Sequence, residues 1–183
     1  DNIAEQSPAG SKGIIYLPYL SGERSPIWDP YARGVLFGLD VSHTKNDIVR
    51  SFYEGVAYSC LHNLKIYEDE LGIDIGDEIF FSGGGAKSDL WAQIHADVCN
   101  KKIKVVKIKE SEALGNAILA GYSLGIYSSI SEAADSLVKI EKEFEPNKEN
   151  VEQYEGLFDI YKGLHSKLKD DFRKLADWRT KKN

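Results

Sequence analysis

Apolar residues recur along the chain with two different periods. Short runs rich in β-branched and aromatic residues predict strands, which span residues 13–20, 34–40, 78–82 and 103–108. Elsewhere apolar residues recur every three or four positions, which predicts amphipathic helices. These helices span about 49–71, 88–100 and 111–124, followed by one that begins at Ser129 and a terminal one over about 150–178. Because strands and helices alternate, the pattern predicts an α/β fold with a sheet covered by helices.

The two longest helices each carry one continuous apolar face. In the first helix this face comprises Val49, Phe52, Val56, Cys60, Leu64, Tyr67 and Leu71, and Gly72 ends the helix. In the terminal helix it comprises Tyr154, Leu157, Tyr161, Leu164, Leu168, Phe172 and Leu175. The spacing in both sets is typical of one side of an α-helix.

Local signals mark several helix ends. Ser111 is predicted to cap the helix over 111–124, and Gly125 stands where a C-terminal glycine belongs. Ser129 and Glu132 have the spacing of a capping box. Residues 146–150, with the sequence PNKEN, precede the terminal helix and are predicted to form a flexible joint.

Composition limits the classes of function. The chain has 183 residues, 42% of them hydrophobic, and a net charge of −6 from interspersed acids and bases. This size and apolar content predict one domain with a sizeable core. The acidic balance disfavours nucleic acids and membrane surfaces as partners, and no apolar run approaches the ~20 residues of a membrane span. Cys60 and Cys99 are too few for a disulfide framework and indicate reduced thiols in a cytoplasmic protein.

A glycine-rich turn follows the third predicted strand and leads into a helix. It reads Ser82-Gly83-Gly84-Gly85-Ala86-Lys87-Ser88-Asp89. Glycines allow positive φ and the close approach of a ligand, and a helix N-terminus offers free N–H groups and a positive dipole end to an anion. The spacing differs from that of a P-loop and of G-x-G-x-x-G. On the glycines alone, a nucleotide-binding turn and a tight turn without a ligand are equally good interpretations.

For two further groups of polar residues, the sequence indicates a structural role rather than a catalytic one. The loop over 21–33 contains Glu23, Arg24, Asp29 and Arg33, and such charged loops are usually salt-bridged surface loops. The histidines lack the spacing of a metal site and are expected at the surface or in the core; they are His43, His62, His95 and His165. The sequence offers no G-x-S-x-G and no Ser-His-Asp or Cys-His arrangement. Residue patterns therefore assign no catalytic residue and no metal ligand.

A series of longer motifs runs in order through the chain. Residues 18–40 read PYLSGERSPIWDPYARGVLFGLD, residues 83–91 read GGGAKSDLW, and residues 112–121 read EALGNAILAG. A spaced signature of glycines, apolar residues, a small residue and two acids consists of Gly34, Leu36, Gly38, Leu39, Asp47, Ile48, Ser51 and Glu54. Two positions depart from the pattern: Phe52 replaces a smaller residue and Asn116 an alanine. With Phe-Glu-Pro at 144–146, these motifs resemble the C-terminal domain of the FGGY carbohydrate kinases over nearly the whole chain. The Gly-Glu-Arg-Ser-Pro version of the first loop resembles that of xylulokinases and related pentulose or gluconate kinases.

The resemblance implies both a fold and an activity. The fold is the actin-like (ribonuclease H-like) ATPase domain, a mixed sheet flanked by helices, and the domain would span residues 1–183. The activity is phosphoryl transfer from ATP, with Mg²⁺, to a sugar that is a pentulose such as xylulose, with gluconate and glycerol as alternatives. ATP or ADP would bind mainly to this domain. The nucleotide-binding residues that the resemblance implies are Gly83, Gly84, Gly85, Ala86, Ser88 and Asp89. Within this set, residues 84–86 would face the adenosine and α-phosphate, and Asp89 the adenine end with Ser88 beside it.

The resemblance also implies what the chain lacks. In this family the catalytic aspartate lies in a Gly-Asp motif ahead of the C-terminal domain, and Gly76-Asp77 does not match it because a strand follows. The chain begins at Asp1 and contains no methionine. We therefore expect a fragment without the N-terminal catalytic and sugar-binding domain, inactive alone and weak in nucleotide binding. The exposed face of such a fragment favours self-association, a homodimer included.

Two alternatives stay open at this point. One is a stand-alone nucleotide-binding or regulatory module of actin-like fold. The other is a different enzyme on that fold, such as an acetate kinase or a chaperone-type ATPase, against which the loop over 21–33 argues.

Overall fold

The computed structural model describes residues 1–107 and 111–181. In chain order the elements are β1 (Ile15–Leu17), β2 (Val35–Phe37), α1 (Lys45–Lys65), β3 (Glu78–Phe81), α2 (Asp89–Cys99), β4 (Lys102–Val106), α3 (Ser111–Ser123), α4 (Ile130–Leu137), β5 (Ile140–Phe144) and α5 (Lys148–Thr180). A turn of π-helix, Ile66–Glu70, extends α1. Each predicted helix and strand is present, although the strands are shorter than predicted. The predicted strand over 103–108 ends at Val106, and Ile108 lies outside the described residues, as does the side chain of the predicted cap Ser111.

The strands form two separate sheets rather than the single sheet that the sequence predicted. β1 and β2 pair antiparallel, with Tyr16 opposite Leu36. The other sheet has the order β3-β4-β5, in which β3 and β4 are parallel and β4 and β5 antiparallel. α2 supplies the crossover between the two parallel strands, and its Ala92 and Ala96 pack on one face of this mixed sheet.

β5 is an element that sequence reasoning missed. Its sequence is Ile-Glu-Lys-Glu-Phe, with three charged residues between two apolar ends, so it lacks the alternation of a half-buried strand. In the structure it is an edge strand whose side chains are mostly exposed. Charged residues are common on edge strands because they discourage pairing with other chains. Tertiary pairing with β4, rather than a local pattern, therefore defines this strand.

The main core lies between β1, α1, α2 and α5. The apolar face predicted for the terminal helix is largely buried here: Tyr154, Tyr161, Leu164 and Phe172 are all in this core. Tyr58 of α1 contacts three aromatic rings of α5. Such buried aromatic contacts contribute about 0.5–1.5 kcal/mol per pair beyond the burial of area. The terminal helix is thus an integral part of the fold.

The buried side of α1 differs from the apolar face that the sequence suggested. Phe52 and Val56 are 39% and 36% exposed, whereas the buried side includes Arg50 and Glu54. Phe52 and Val56 therefore belong to the surface of α1, while Arg50 and Glu54 lie inside, on the same side as the core residues Tyr58 and Leu61.

A buried polar network around Glu54 explains this inversion. The Glu54 carboxylate accepts hydrogen bonds from the Gly10 amide at 2.9 Å, the Ser11 hydroxyl at 2.6 Å and the Tyr154 hydroxyl at 2.8 Å. Arg50 forms an ion pair with Glu54 at 2.8 Å and donates to Tyr154. Burial raises the pKa of Glu54, and the Ser11 and Arg50 contacts oppose that shift. Glu54 therefore joins the N-terminal segment, α1 and α5.

Asp47 anchors the same N-terminal segment at the start of α1. It accepts hydrogen bonds from the Ser7 hydroxyl at 2.7 Å and the Thr44 amide at 2.8 Å, and forms an ion pair with Lys12 at 3.1 Å. Thr44 and Asp47 form a capping box, which the sequence analysis had not identified. The hydrogen bond from Ser7 is the main reason that the pKa of Asp47 lies well below its ordinary value. The acidic signature positions Asp47 and Glu54 thus have structural partners.

Two signature-region glycines allow backbones to touch. A Cβ on Gly55 of α1 would overlap the carbonyl oxygen of Tyr16 in β1. A Cβ on Gly38, which has a φ of +86°, would lie 2.6 Å from the carbonyl oxygen of Gly13. Any larger residue would push the β1–β2 sheet away from its neighbours.

The prediction of a flexible joint at 146–150 is wrong. Asn147 caps α5, and its amide donates to Asp97 of α2 at 2.8 Å. The Asn150 side chain donates to the other Asp97 oxygen at 2.7 Å. Because Asp97 is buried, these bonds fix the start of α5 on α2. The helix ends predicted at Gly125 and Ser129 are confirmed, since Gly125 has a φ of +71° and the Ser129 hydroxyl accepts a hydrogen bond from the Glu132 amide. The Glu132 carboxylate accepts from the Ser128 amide and not from that of Ser129, so the reciprocal bond of a capping box is replaced.

None of the helices in the described residues has the length and apolar character needed to cross a bilayer.

Candidate functional site

The glycine turn begins directly after β3, at the edge of the mixed sheet. Gly83 has a φ of +82°, and residues Gly85–Lys87 form one turn of 3₁₀-helix before α2 begins at Asp89. This is the strand–turn–helix context that the sequence predicted for a ligand site.

The three glycines of this turn face different surroundings. No heavy atom lies within 4 Å of a Cβ added at Gly83 or at Gly84. A Cβ at Gly85 would lie 3.1 Å from the Trp91 ring and 3.3 Å from the Phe81 ring. Packing therefore accounts for Gly85, while Gly83 and Gly84 leave space that a ligand can occupy.

The positive charge at the N-terminus of α2 is already partly neutralised, so the helix dipole attracts an anion less strongly there. Ser88 is the N-cap, and its hydroxyl accepts a hydrogen bond from the Trp91 amide at 3.0 Å. Asp89 adds a negative charge in the first turn. Ser88 also donates to Asp1 at 2.7 Å. An anion at this turn therefore needs attraction from side chains besides that from the dipole.

Lysine side chains supply that attraction. A cleft of about 420 Å³ lies beside the turn, lined in part by Gly83, Ala86 and Asp89. Lys87, Lys107 and Lys142 also line it, and Glu141 is the other acidic residue in its lining. The Lys142 ammonium donates to both Asp89 oxygens, at 2.6 and 2.7 Å. The cleft thus combines open glycine backbone with a cationic rim.

The structure brings together half of the residues that the resemblance implied. Gly83, Ala86 and Asp89 line the cleft. Gly84 has open space beside it but is not part of the lining, and Gly85 and Ser88 contact Trp91. Sequence reasoning missed Lys107, which follows the end of β4, and Lys142, which lies in the middle of β5, since only the β4–β5 pairing brings Lys142 to the turn. No local pattern marked Lys142, since β5 lacks the alternation of a half-buried strand.

A second cleft of about 540 Å³ lies on the other face of the mixed sheet. Its lining is mostly apolar and includes Phe80 and Val106 from the sheet, Leu114 and Ile118 from α3, and Val138 after α4. The segment over 112–121 singled out from the sequence therefore faces this cleft.

The charged loop over 21–33 is tied to α5 instead of forming a salt-bridged surface loop. Asp29 is buried and lies 2.9 Å from the ring nitrogen Nε2 of His165. Although burial raises the pKa of Asp29, the hydrogen bonds from His165 and the Tyr31 amide hold it below the ordinary value. Glu23 accepts hydrogen bonds from the amides of Arg24 and Ser25 within the loop. The exposed tip carries Trp28, which is 79% exposed.

An apolar groove of about 680 Å³ lies next to this loop, on the outer side of α1 and β1. The residues that line it are Tyr16, Pro18, Leu20, Phe52, Tyr53, Val56 and Trp91. It contains the two apolar residues of α1, Phe52 and Val56, that the core excludes. In the part of the chain that the structure describes, this groove is not covered by another element.

A metal site is not formed by the described residues alone. Among residues 1–107 and 111–181, no three His, Cys, Asp or Glu side chains are placed to hold a metal ion together. Mg²⁺ typically binds through one or two carboxylates together with substrate phosphates. The glycine-turn cleft fits an anionic ligand, and its acidic groups Asp89 and Glu141 are too few for a protein-only Mg²⁺ site.

The chain is similar to known proteins over most of its length. The family model for the FGGY family of carbohydrate kinases, C-terminal domain, matches residues 1–124. The xylulose kinase of Staphylococcus epidermidis is 38% identical over 168 residues, which are 92% of this chain and 34% of that protein.

Solved structures of kinases are similar as well. The ligand-bound xylulose kinase of Lactobacillus acidophilus has a TM-score of 0.88 and 32% identity, over 95% of this chain and 35% of that one. The Plasmodium falciparum glycerol kinase with ADP has a TM-score of 0.72 and 26% identity, over 86% of this chain and 31% of that one. The chain therefore has the fold of these sugar kinases, the actin-like ATPase fold, as predicted. It spans about a third of the length of the relatives that it matches.

Proposed function

The chain belongs to the FGGY family of carbohydrate kinases, and from this premise we propose that residues 1–183 form the C-terminal, nucleotide-binding domain of an ATP-dependent sugar kinase. The observation that carries the proposal is the open backbone of Gly83, which lines a cleft with a lysine rim, and of its neighbour Gly84. Such a site suits a polyphosphate, because the backbone can approach the ligand closely and the ammonium groups offset its charge.

Each cleft residue has a role in this proposal. Gly83 and Gly84 leave room for the adenosine and the α-phosphate, and Ala86 lines the same wall. The ammonium groups of Lys87 and Lys107 attract the phosphates, and Lys142, paired with Asp89, adds to the positive charge of the rim. Asp89 lies at the adenine end, with its carboxylate held by Lys142 at 2.6 Å. The glycerol kinase with ADP, a structural relative, supports a nucleotide in this fold.

Gly85 and Ser88 have supporting roles in the proposed site. Gly85 lets the turn pack on Trp91, and Ser88 caps α2. Both hold the open glycines in place. Neither needs to touch the nucleotide for the site to form.

The remaining chemistry is assigned to a part of the enzyme outside residues 1–183. Phosphoryl transfer needs a carboxylate that accepts the proton of the sugar hydroxyl and Mg²⁺ that bridges the phosphates. The described residues offer no metal cluster, and the chain covers only about a third of its relatives' length. The proposed acceptor is a pentulose such as xylulose, supported by the similarity to xylulose kinases. The free thiols of Cys60 and Cys99 support a cytoplasmic location.

The apolar groove is the surface that the catalytic part of the enzyme would cover. Exposed apolar patches of this kind mark interaction sites. Residues 1–183 alone should therefore self-associate, to a homodimer or beyond. Sedimentation measurements over a range of concentrations would detect this, and Phe52→Glu in the groove should shift the chain toward the monomer. A wild-type chain that stays monomeric at high concentration would contradict this part of the proposal.

Nuclear magnetic resonance of the ¹⁵N-labelled chain tests nucleotide binding directly. Addition of ATP with Mg²⁺ should shift the amide signals of Gly83, Gly84 and Ala86, with an affinity weaker than micromolar. Gly84→Val should abolish these shifts, since its side chain fills the space kept open for the ligand. The backbone of Gly84, with φ −63° and ψ −40°, accepts a side chain without strain.

Gly85→Val is the matched control. Its side chain meets Trp91, so this variant should unfold at a lower temperature than the wild type, while Gly84→Val should not. ATP-induced shifts that persist in Gly84→Val, or that lie outside the cleft, would contradict the proposed site. Sub-micromolar affinity or sugar-dependent ATP turnover by residues 1–183 alone would contradict the assignment of catalysis to another part of the enzyme.

A substrate panel on the enzyme at its natural length tests the acceptor. Xylulose should give the highest kcat/KM, followed by gluconate and glycerol. A preference for glycerol would leave the kinase proposal intact and overturn only the choice of sugar.

A further inference from the structure

Trp91, in the first turn of α2, borders both the glycine turn and the apolar groove. A Cβ built on Gly85 would lie 3.1 Å from its ring, so the ring packs directly against the turn. The same side chain is part of the lining of the groove, together with Tyr53 and Val56 of α1. Two sites that come from separate parts of the chain therefore share one partly buried side chain.

Hydrogen bonds hold Trp91 at both its backbone and its ring. Its amide donates to the hydroxyl of Ser88, the cap of α2, at 3.0 Å. Its indole N–H donates to the carbonyl oxygen of Tyr53 at 3.1 Å. The Tyr53 and Trp91 rings also meet edge to face, with their centroids 5.3 Å apart. The position of the indole is therefore set by Tyr53 on the groove side.

The glycine turn has little room to move independently of this ring. The Cβ built on Gly85 would also lie 3.3 Å from the Phe81 ring, so Gly85 is enclosed by two aromatic side chains. Closely packed groups transmit a displacement because they compress very little. Gly83 and Gly84 directly precede Gly85, and Gly83 lines the nucleotide cleft. A shift of the indole therefore moves the open backbone that the nucleotide would contact.

Asp1 forms a second connection between the groove and the turn. Its carboxylate accepts hydrogen bonds from the Ser88 hydroxyl at 2.7 Å and from the Tyr53 hydroxyl at 3.3 Å. Both bonds are exposed, and water competes with exposed hydrogen bonds. We therefore assign the main connection to the Trp91 ring.

We propose that Trp91 is a positioning residue that links the apolar groove to the nucleotide site, an inference that rests on the proposed function. Contacts in the groove set the position of the indole, and the indole sets the position of the glycine turn. Coupling between two binding sites is reciprocal. Nucleotide binding at the turn and docking of the catalytic part on the groove therefore change each other's affinity by the same factor.

Nuclear magnetic resonance of the dilute, ¹⁵N-labelled chain tests this link through the tryptophan side chains. Each of the three tryptophans has one indole N–H signal, which is assigned by replacing that residue with phenylalanine. Addition of ATP with Mg²⁺ should shift the Trp91 indole signal together with the amides of the turn, although Trp91 does not line the nucleotide cleft. The indoles of Trp28 and Trp178, which line neither the cleft nor the groove, should keep their positions.

A pair of variants at Tyr53 tests the link from the groove side. Tyr53→Leu removes the ring that packs on Trp91, whereas Tyr53→Phe keeps this ring and removes only the hydroxyl contact with Asp1. Tyr53→Leu should shift the amide signals of Gly84 and Gly85 without any nucleotide and should raise the dissociation constant for ATP by roughly five- to tenfold. Tyr53→Phe should bind ATP within about twofold of the wild type, because the ring contact remains.

The outcomes separate this inference from the proposed function. A Trp91 indole that stays in place while ATP shifts the turn would overturn the inference and leave the proposed function standing. A Tyr53→Leu variant that binds ATP as tightly as the wild type would do the same. If ATP shifts no signal at the turn, the proposed function fails and this inference fails with it. The indole signals come from the wild type, so that test holds even if Tyr53→Leu does not fold.

Discussion

The region around β1, where α1 and the end of β2 pack, and the turn after β3 both depend on glycines, but for opposite reasons. At Gly38 and Gly55 an added Cβ would strike the backbone of another segment. At Gly83 and Gly84 an added Cβ would meet nothing within 4 Å. The first pair permits close packing, and the second pair leaves space. Substitutions in the first region should therefore alter stability, whereas a substitution at Gly84 should alter ligand binding with little effect on stability. A side chain at Gly83 would also strain the backbone, because Gly83 has a φ of +82°.

The charged residues of the two regions also differ, because those of the first are buried and those of the second are exposed. Asp47 and Glu54 are buried, and each has several hydrogen-bond partners. Asp89 and Lys142 are exposed at the cleft and mainly pair with each other. A buried ion pair is costly to break, while an exposed pair contributes about 0–1 kcal/mol. Four predictions separate the regions on this basis, beginning with the largest effect.

Glu54→Ala should lower the free energy of unfolding by about 3–5 kcal/mol, because it leaves the buried Arg50 without its charged partner. Urea denaturation measures this loss. Glu152→Ala, on the exposed side of α5, is the matched control and should change stability by less than about 0.5 kcal/mol. A loss at Glu54 no larger than that of the control would show that the network does not stabilise the fold.

Gly55→Ala should lower the free energy of unfolding by about 1–3 kcal/mol, because its methyl group overlaps the Tyr16 carbonyl oxygen. Gly156→Ala provides the contrast within another helix, since no atom lies within 4 Å of its Cβ. Gly156→Ala should raise the free energy of unfolding by about 0.4–1 kcal/mol, because alanine lowers the conformational entropy of the unfolded chain. Thermal unfolding of both variants checks the prediction, and changes of equal sign would contradict it.

Asp47→Asn should destabilise the protein at pH 7 by about 1–3 kcal/mol, because it removes a charged acceptor from several donors. The folded protein holds the pKa of Asp47 below the ordinary 3.8, so it binds fewer protons there than the unfolded chain. The contribution of Asp47 is therefore full above that value and is lost as the pH falls below it. Urea titrations at several pH values should show the wild-type advantage shrinking in acid. An advantage that grows in acid would contradict this assignment.

Lys142→Met should have the smallest effect on stability, below about 1 kcal/mol, since its ion pair with Asp89 is exposed. It should still raise the dissociation constant for ATP, by roughly three- to tenfold, through the loss of one charge from the cleft rim. Lys174→Met is the control, because Lys174 also forms an exposed pair, with Asp171 on α5 and away from the cleft. Equal ATP affinities of the two variants would remove Lys142 from the proposed site.

The alternation of apolar and polar residues determined much of the fold. All the helices, four of the strands and the buried side of α5 follow from local periodicity, and helix ends at Gly125 and Ser129 follow from capping chemistry. Local signals suffice for these features because each depends on residues a few positions apart. The glycine turn was also identified from its sequence, as was its place between a strand and a helix.

Other features depended on contacts between distant segments, and the sequence alone could not reveal them. β5 forms because it pairs with β4. Glu54 of α1 is buried because it accepts hydrogen bonds from Gly10, Ser11 and Tyr154. The tertiary structure alone decided that Gly84 is open while Gly85 is packed, and that Lys107 and Lys142 reach the cleft. The physical reason is the same in each case. Whether a residue is buried, paired or next to open space depends on its neighbours in the folded protein, and many of those neighbours are distant in the sequence.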